Sequence, residues 1–193
     1  MIFDFKLDLK LAKDLILNGK IVILPTDTLF GFSCDAFNTQ AITKLNQLKG
    51  RHTPLSIIVS NFEMANQFAF INNKQKMIID KLLPGPFTFL FKKKQSKLAY
   101  EITNESPKVG IRIPDHFNLH KLLKKLNRPI VTTSVNRNGE PALSNPKKMD
   151  EEFNDIPIFI DKIKKKSNGS TIIDLTISPY LIIRKGDGEW IKV

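Results

Sequence analysis

KIVILPTDTLFG, residues 20–31, begins as an apolar run, is stopped by Pro25 and continues as a polar, hydroxyl-rich stretch. Proline removes a backbone donor and does not sit inside a central strand. Lys20–Leu24 is therefore read as a short strand and Thr26–Gly31 as the loop that follows, turning at its glycine. Upstream, Leu9, Leu11, Ala12, Leu15 and Ile16 recur at helical spacing between Asp8 and Asn18, and Gly19 stands where a C-terminal cap belongs. Downstream, Ala41, Ile42, Leu45 and Leu48 mark one face of a helix over Gln40–Lys49, broken by Gly50-Arg51-His52-Thr53-Pro54. Helix, strand, polar loop and helix in succession argue for an α/β layer structure.

The rest of the chain repeats this alternation. Leu55–Ser60 reads as a strand. Asn61 is an N-cap for a helix running through Phe70, and a further helix spans Asn73–Leu83 until Pro84-Gly85-Pro86 ends it. Phe87–Phe91 and Val109–Ile113 read as strands joined by a lysine-rich connection. His116–Leu126 is helical, and Pro129–Thr133 is a strand leading into Ser134-Val135-Asn136-Arg137-Asn138-Gly139. A short helix over Lys147–Phe153 and late strands at Ile156–Ile160, Ser170–Leu175 and Tyr180–Ile183 complete the reading. Neither a repeat nor a long linker interrupts it, so one domain over 1–193 is expected.

Composition narrows the function classes. A hydrophobic fraction of 41% and a charged fraction of 25% are those of a soluble globular protein. No apolar run approaches the roughly 18 residues of a membrane span, and the N-terminus lacks the long apolar stretch of a secretory signal. Cys34 is the only cysteine, which rules out an internal disulfide and points to a cytoplasmic setting. The net charge of +11 favours polyanionic partners, although lysine runs such as 92–94, 124–125 and 164–166 read equally well as solvated faces. The arginines carry more information. In a chain that defaults to lysine, Arg51, Arg112, Arg128, Arg137 and Arg184 are the first places to look for a forked donor to phosphate or carboxylate.

Several familiar sites are absent from the sequence. It has no Gly-x-x-x-x-Gly-Lys-Ser/Thr phosphate loop, no Gly-x-Gly-x-x-Gly and no paired cysteines for zinc. His116 and His120 lie four apart on a helix with no acidic partner to complete a zincin motif, and read as surface or rim residues rather than metal ligands. What recurs instead is a set of polar loops, each following an apolar strand or helix. They are Pro25–Thr28, Lys49–Arg51, Leu83–Thr88, Arg112–Asp115, Thr133–Asn136 and Ser170-Thr171. Any one of these is most simply a turn. As a set converging at strand ends, they offer the cations, hydroxyls and amide of a nucleotide-phosphate site.

These segments, PTDTLFGFSCDA (25–36), KGR (49–51), PLSIIVSN (54–61), LPGPFTFLF (83–91), VGIRIPDH (109–116), TTSVNRNGEPA (132–142), STIIDLT (170–176) and IIRKGDG (182–188), resemble those of the YrdC-like family. Its members are threonylcarbamoyl-adenylate synthases. The resemblance runs in family order over most of the chain, and the motifs are specific as a set. It implies an open, twisted, mixed α/β sheet with a deep basic cavity, in the short single-domain form. The family's K-x-R and S-x-N signatures fall on Lys49, Arg51, Ser134 and Asn136, implied to contact the ATP phosphates and the reacting centre. Thr88, Arg112, Thr133 and Arg184 are implied to line the ATP site, and Thr28, Arg112 and Ser170 the threonine site. One departure stands out: Arg51-His52-Thr53-Pro54-Leu55 is shorter than the family pattern, which carries a proline and further residues after K-x-R.

The implied reaction joins L-threonine, bicarbonate and ATP into threonylcarbamoyl-adenylate, used to modify tRNA beside the anticodon. Partner transferases handle the tRNA, and no membrane is involved. The sequence shows no dedicated metal cage, so no tightly held protein metal is expected. Magnesium is expected with the triphosphate, and Asp27 and Asp35 are outer-shell candidates or simply turn formers. Two other readings compete. One is a non-catalytic RNA-binding module using the same concavity. The other is a carbamoyl-transferring hydrogenase-maturation domain, whose zinc-finger cysteines this chain does not carry.

Overall fold

The structure, a computed structural model, describes residues 1–50, 54–161 and 166–190. In chain order its elements are β1 (Ile2–Asp4), α1 (Leu9–Leu17), β2 (Val22–Leu24), β3 (Gly31–Asp35), α2 (Thr39–Lys49), β4 (Ser56–Ile58), α3 (Phe62–Asn66), β5 (Ala69–Phe70) and α4 (Asn73–Leu82). There follow β6 (Phe87–Lys93), α5 (Tyr100–Thr103), β7 (Lys108–Arg112), α6 (Phe117–Leu126), β8 (Ile130–Ser134), α7 (Pro146–Glu152), β9 (Ile158–Ile160), β10 (Thr171–Asp174) and β11 (Leu181–Arg184). Helix ends follow local chemistry. Asn38, Asn61 and Asn72 each cap the next helix by accepting a backbone N–H, and Asn72 does so in a reciprocal box with Gln75. Gly19 and Gly50 take left-handed backbone angles (φ 71° and 62°) after α1 and α2, as expected of C-terminal caps.

Four features differ from the sequence reading. Gly31 does not turn the chain but opens β3, whose five residues are all buried. A Cβ at Gly31 would lie 2.3 Å from Thr132 Cγ2, so the glycine serves the close approach of β3 to β8. The helix begun at Asn61 ends at Asn66, because Ala69 and Phe70 pair with Lys93 and Lys92 as a strand. The lysine-rich connection after β6 holds α5, seated through the buried Ala99 and Ile102. Ile2–Asp4 forms β1, paired in parallel with β9.

The strands form one open, mixed sheet in the order β1-β9-β2-β3-β8-β4-β7-β6-β10-β11, with β5 added against β6. Pairs β1–β9, β9–β2, β4–β7 and β6–β10 are parallel, and the others are antiparallel. Side-chain alternation divides the core between the two faces. Ile23, Ile57, Ile111, Val131, Phe89 and Ile173 point into the larger cluster, with Ile42 and Leu45 of α2. Val22, Leu24, Ile58 and Ile130 point the other way, onto Leu9, Ala12 and Ile16 of α1 and Leu119, Leu122, Leu123 and Leu126 of α6. Further across that second face the strands carry hydroxyls and guanidiniums instead. Among the described residues no helix is long and apolar enough to cross a membrane.

Candidate functional site

A cavity of about 250 Å³ lies over that face. It is lined by Thr26, Thr28, Leu29, Phe30 and Gly31 from the β2–β3 connection and Pro54, Leu55, Ser56 and Ile58 from β4 and its approach. Thr88, Arg112, Thr132, Thr133, Ser134, Gly169, Ser170, Ile172 and Arg184 complete it. Ser56 and Ile58 alternate with the core residue Ile57, and Thr88 and Arg112 neighbour the core residues Phe89 and Ile111. The polar groups thus gather across a sheet face rather than along one row of strand ends. Ser134 ends β8 opposite Gly31, whereas Arg112 ends β7 beside Ile58, at the other end of β4.

Arg112 is more buried than Arg184, the other arginine lining the cavity. Its Nη2 donates to Asp27 Oδ1 and, at 2.7 Å, to Thr28 Oγ1. Burial lowers the guanidinium pKa from its ordinary value, while the charges of Asp27 and Asp187 pull the other way. Thr28 is fixed in turn by Thr26. The Thr26 hydroxyl donates to Leu29 O (2.7 Å) and accepts from Thr28 N (3.1 Å), so across the 3.2 Å Thr26–Thr28 contact Thr28 is the donor. A second group forms around Ser170, whose Oγ is 2.8 Å from Thr88 Oγ1 and accepts from Arg184 Nη2 at 3.1 Å. Arg184 also donates to Ser170 O from Nη2 (2.8 Å) and Nε (3.2 Å).

The third group joins Lys49, Ser134 and Asn136. Lys49 Nζ donates to Ser134 O (2.8 Å), Asn136 O (2.6 Å) and Asn136 Oδ1 (2.5 Å), and Ser134 Oγ donates to Asn136 Oδ1 (2.6 Å). Ser134 lines the cavity; Lys49 and Asn136 stand behind it. Arg51, His52 and Thr53 lie outside the described residues. Arg128 and Arg137 stand apart from the cavity, against Asp35 with Phe37 and against Glu152 with Phe153. Ser56 and Thr132 were not singled out by the sequence. Ser56 shows in the sequence as a lone serine inside an apolar run, within the segment 54–61, and Thr132, which opens the segment 132–142, joins Ser33 through a 3.0 Å hydroxyl contact.

Among the described residues no three His, Cys, Asp or Glu side chains converge as a metal site. Asp27 is tied to Arg112 and Asp35 to Arg128, so neither is arranged as a metal cage. His116 caps α6 by accepting from Leu119 N, and His120 Nε2 lies 2.6 Å from Pro114 O. Burial, with Asp35 adjacent, pushes the Cys34 thiol far above its ordinary value, which makes it a core residue rather than a nucleophile.

Fold and sequence together define the class. The chain belongs to the Sua5/YciO/YrdC family, described as "Telomere recombination", which matches residues 14–186. It is 38% identical over 183 residues to a Methanocaldococcus jannaschii protein provisionally named a threonylcarbamoyl-AMP synthase, covering 92% of this chain and 85% of that one. Among solved structures it resembles Pyrococcus abyssi Sua5 complexed with L-threonine, with a TM-score of 0.88 and 28% identity over 96% of this chain. The match spans only 57% of that longer protein. Escherichia coli YciO shares the fold with a TM-score of 0.88 at 19% identity, over 98% of this chain and 97% of YciO. The match therefore has the extent of the family's short single-domain form.

Proposed function

We propose that this chain is a threonylcarbamoyl-AMP synthase, forming threonylcarbamoyl-adenylate and pyrophosphate from L-threonine, bicarbonate and ATP for threonylcarbamoyladenosine modification of tRNA. The observation that carries the reading is the pairing, in one cavity, of two hydroxyl–guanidinium groups: Thr28 with Arg112, and Ser170, itself bonded to Thr88, with Arg184. Such groups suit one amino-acid carboxylate and one polyphosphate held side by side. The relatives' names and the threonine complex of a Sua5 protein support the same assignment.

In this reading the amine of threonine adds to carbon dioxide drawn from bicarbonate, losing a proton to give a carbamate. A carbamate oxygen then attacks the α-phosphorus of ATP; the bond from that phosphorus to the pyrophosphate oxygen breaks, and pyrophosphate leaves. The protein's part is alignment of two anions and neutralisation of their charge. Thr28, Arg112 and Ser170 hold threonine. Thr88, Arg112, Thr133, Ser134 and Arg184 serve ATP in a deep basic cavity, the family signature assigns Arg51 a phosphate contact, and Lys49 and Asn136 hold Ser134 in place. Magnesium bound to the triphosphate, as part of the substrate, would neutralise part of its charge. The chain acts as a single domain over 1–193, and partner transferases carry the product to tRNA.

The test is incubation of the pure chain with ATP, threonine and labelled bicarbonate, followed by chromatography. Labelled adenylate is expected, with pyrophosphate release that requires both threonine and bicarbonate and no RNA. Modified adenosine is expected only once the transferase proteins are added. A chain that ignores ATP and threonine but binds RNA with a steep salt dependence would instead be a binding module.

A further inference from the structure

Lys49 ends α2, and 2% of its surface is exposed. An ammonium has three protons, and Ser134 O, Asn136 O and Asn136 Oδ1 accept them at 2.5–2.8 Å. The backbone joins in: Asn138 N donates to Lys49 O at 3.1 Å. Asn136 is equally committed. Its Oδ1 accepts from Lys49 and Ser134 Oγ, and its Nδ2 donates to Arg137 O (2.9 Å) and Glu140 O (2.7 Å). Two lone pairs and two N–H groups are all a side-chain amide has. The segment 134–140 is thus wrapped around a buried cation, and only its Ser134 end lines the cavity.

We infer that Lys49 and Asn136 are positioning residues: they hold the turn after β8 so that Thr133 and Ser134 face the substrates, and they touch no phosphate themselves. For Lys49 to reach an anion it would surrender three charge-assisted bonds and leave the part-buried carbonyl groups of Ser134 and Asn136 without it, which is costly. Its charge is already answered by the dipoles of the turn. This assigns the two residues a different task from the phosphate contact that their sequence motifs suggest. The inference rests on the proposed adenylate synthesis only for its nucleotide-binding readout.

Hydrogen exchange and nucleotide binding on the full chain separate the two roles, using Lys49→Met, Asn136→Ala and the double variant. Amides of 134–140 are expected to exchange about 10-fold faster or more in each single variant, from the loss of bonds to a charged group, with protection elsewhere unchanged. ATP and AMP affinities should fall by the same factor, since AMP lacks the outer phosphates but needs the same turn. The double variant should be no worse than the weaker single one, because both residues act through one element. Unchanged exchange at 134–140, with Lys49→Met weakening ATP but not AMP, overturns the assignment. If Lys49→Met does not fold, Asn136→Ala carries the same readouts. If the unaltered chain binds neither nucleotide, the proposed function fails, while the exchange result still decides this inference.

Discussion

Arg112 and Asp27 form an ion pair whose side chains are only 11% and 9% exposed, and the pair is single-edged. Nη2 serves both Asp27 and Thr28, while Arg112 Nε and Asp27 Oδ2 are buried without hydrogen-bond partners among the described residues. The carboxylate therefore fixes the direction of the guanidinium while its second oxygen stays unpaired. Asp27→Ala would leave a buried cation without its counter-ion, and a loss of about 3 kcal/mol in unfolding free energy is expected. In the proposed reaction Asp27→Asn should raise the KM for threonine more than that for ATP. Urea unfolding and steady-state kinetics test the two parts; an unchanged unfolding midpoint in Asp27→Ala would show that the pair contributes nothing.

Gly186 lets two strand ends meet. A Cβ there would lie 2.3 Å from Gly169 O and 2.6 Å from Ser170 O, both backbone atoms. Ser170 O is also the carbonyl that Arg184 grips. Gly186→Ala should force these segments apart at a cost of about 1–3 kcal/mol, and weaken ATP binding by displacing Ser170 and Arg184. A variant with wild-type melting temperature and wild-type ATP affinity would contradict this account.

How far the site is legible in the sequence depends on where its polar groups fall. Thr26–Thr28 and Thr133-Ser134 follow apolar runs and Ser170 precedes one, so local pattern marks each as a turn and only the set of them as a candidate site. Ser56 escapes that pattern, because one serine in an apolar strand looks like noise until alternation places it on the cavity face. Lys49 is visible as a motif residue but not as a buried one. Its acceptors on Ser134 and Asn136 lie 85 and 87 residues away, and local pattern carries no information on such partners. The same limit hides β5, where pairing with Lys92 and Lys93 overrides helical propensity. The cap at Gly19, and Gly50 as the break after α2, are legible because their cause is local.

His116 ties α6 to pH. Its Nδ1 accepts from Leu119 N at 3.2 Å, a role open only to the unprotonated nitrogen. Burial lowers the ring pKa from its usual value of 6.5; Asp161 and Asp27 pull upward without cancelling that effect. A base with a depressed folded pKa is protonated first in the unfolded chain as pH falls. Its stabilisation is therefore complete above about pH 6.5 and is lost as pH drops through the folded value. His116→Asn keeps a capping side chain and removes the titration. Unfolding midpoints measured at about pH 7.5 and pH 5.5 should fall more for the wild type than for the variant. Equal falls would remove His116 from the pH response.

The proposed threonine site makes a prediction about amino-acid choice, because its hydroxyls have defined donors and acceptors. Thr28 Oγ1 accepts from Arg112 and directs its own proton to Thr26 across a 3.2 Å contact. Ser170 Oγ accepts from Arg184 and shares a hydrogen bond with Thr88. Either hydroxyl retains capacity for the side-chain hydroxyl of threonine, and either would be left poorly paired by valine. A site that hydrogen-bonds a substrate hydroxyl rejects the analogue lacking it by as much as 10⁴-fold, whereas one missing methyl group costs roughly 10–200-fold. Serine should therefore be the better surrogate and valine the worse, read as pyrophosphate release with each amino acid in competition with threonine. Thr28→Val or Ser170→Ala should narrow the gap between serine and valine if that hydroxyl does the reading. Valine ahead of serine in the unaltered chain would rule out a hydroxyl-reading pocket. A gap that survives both substitutions would move the reading to another group of the cavity.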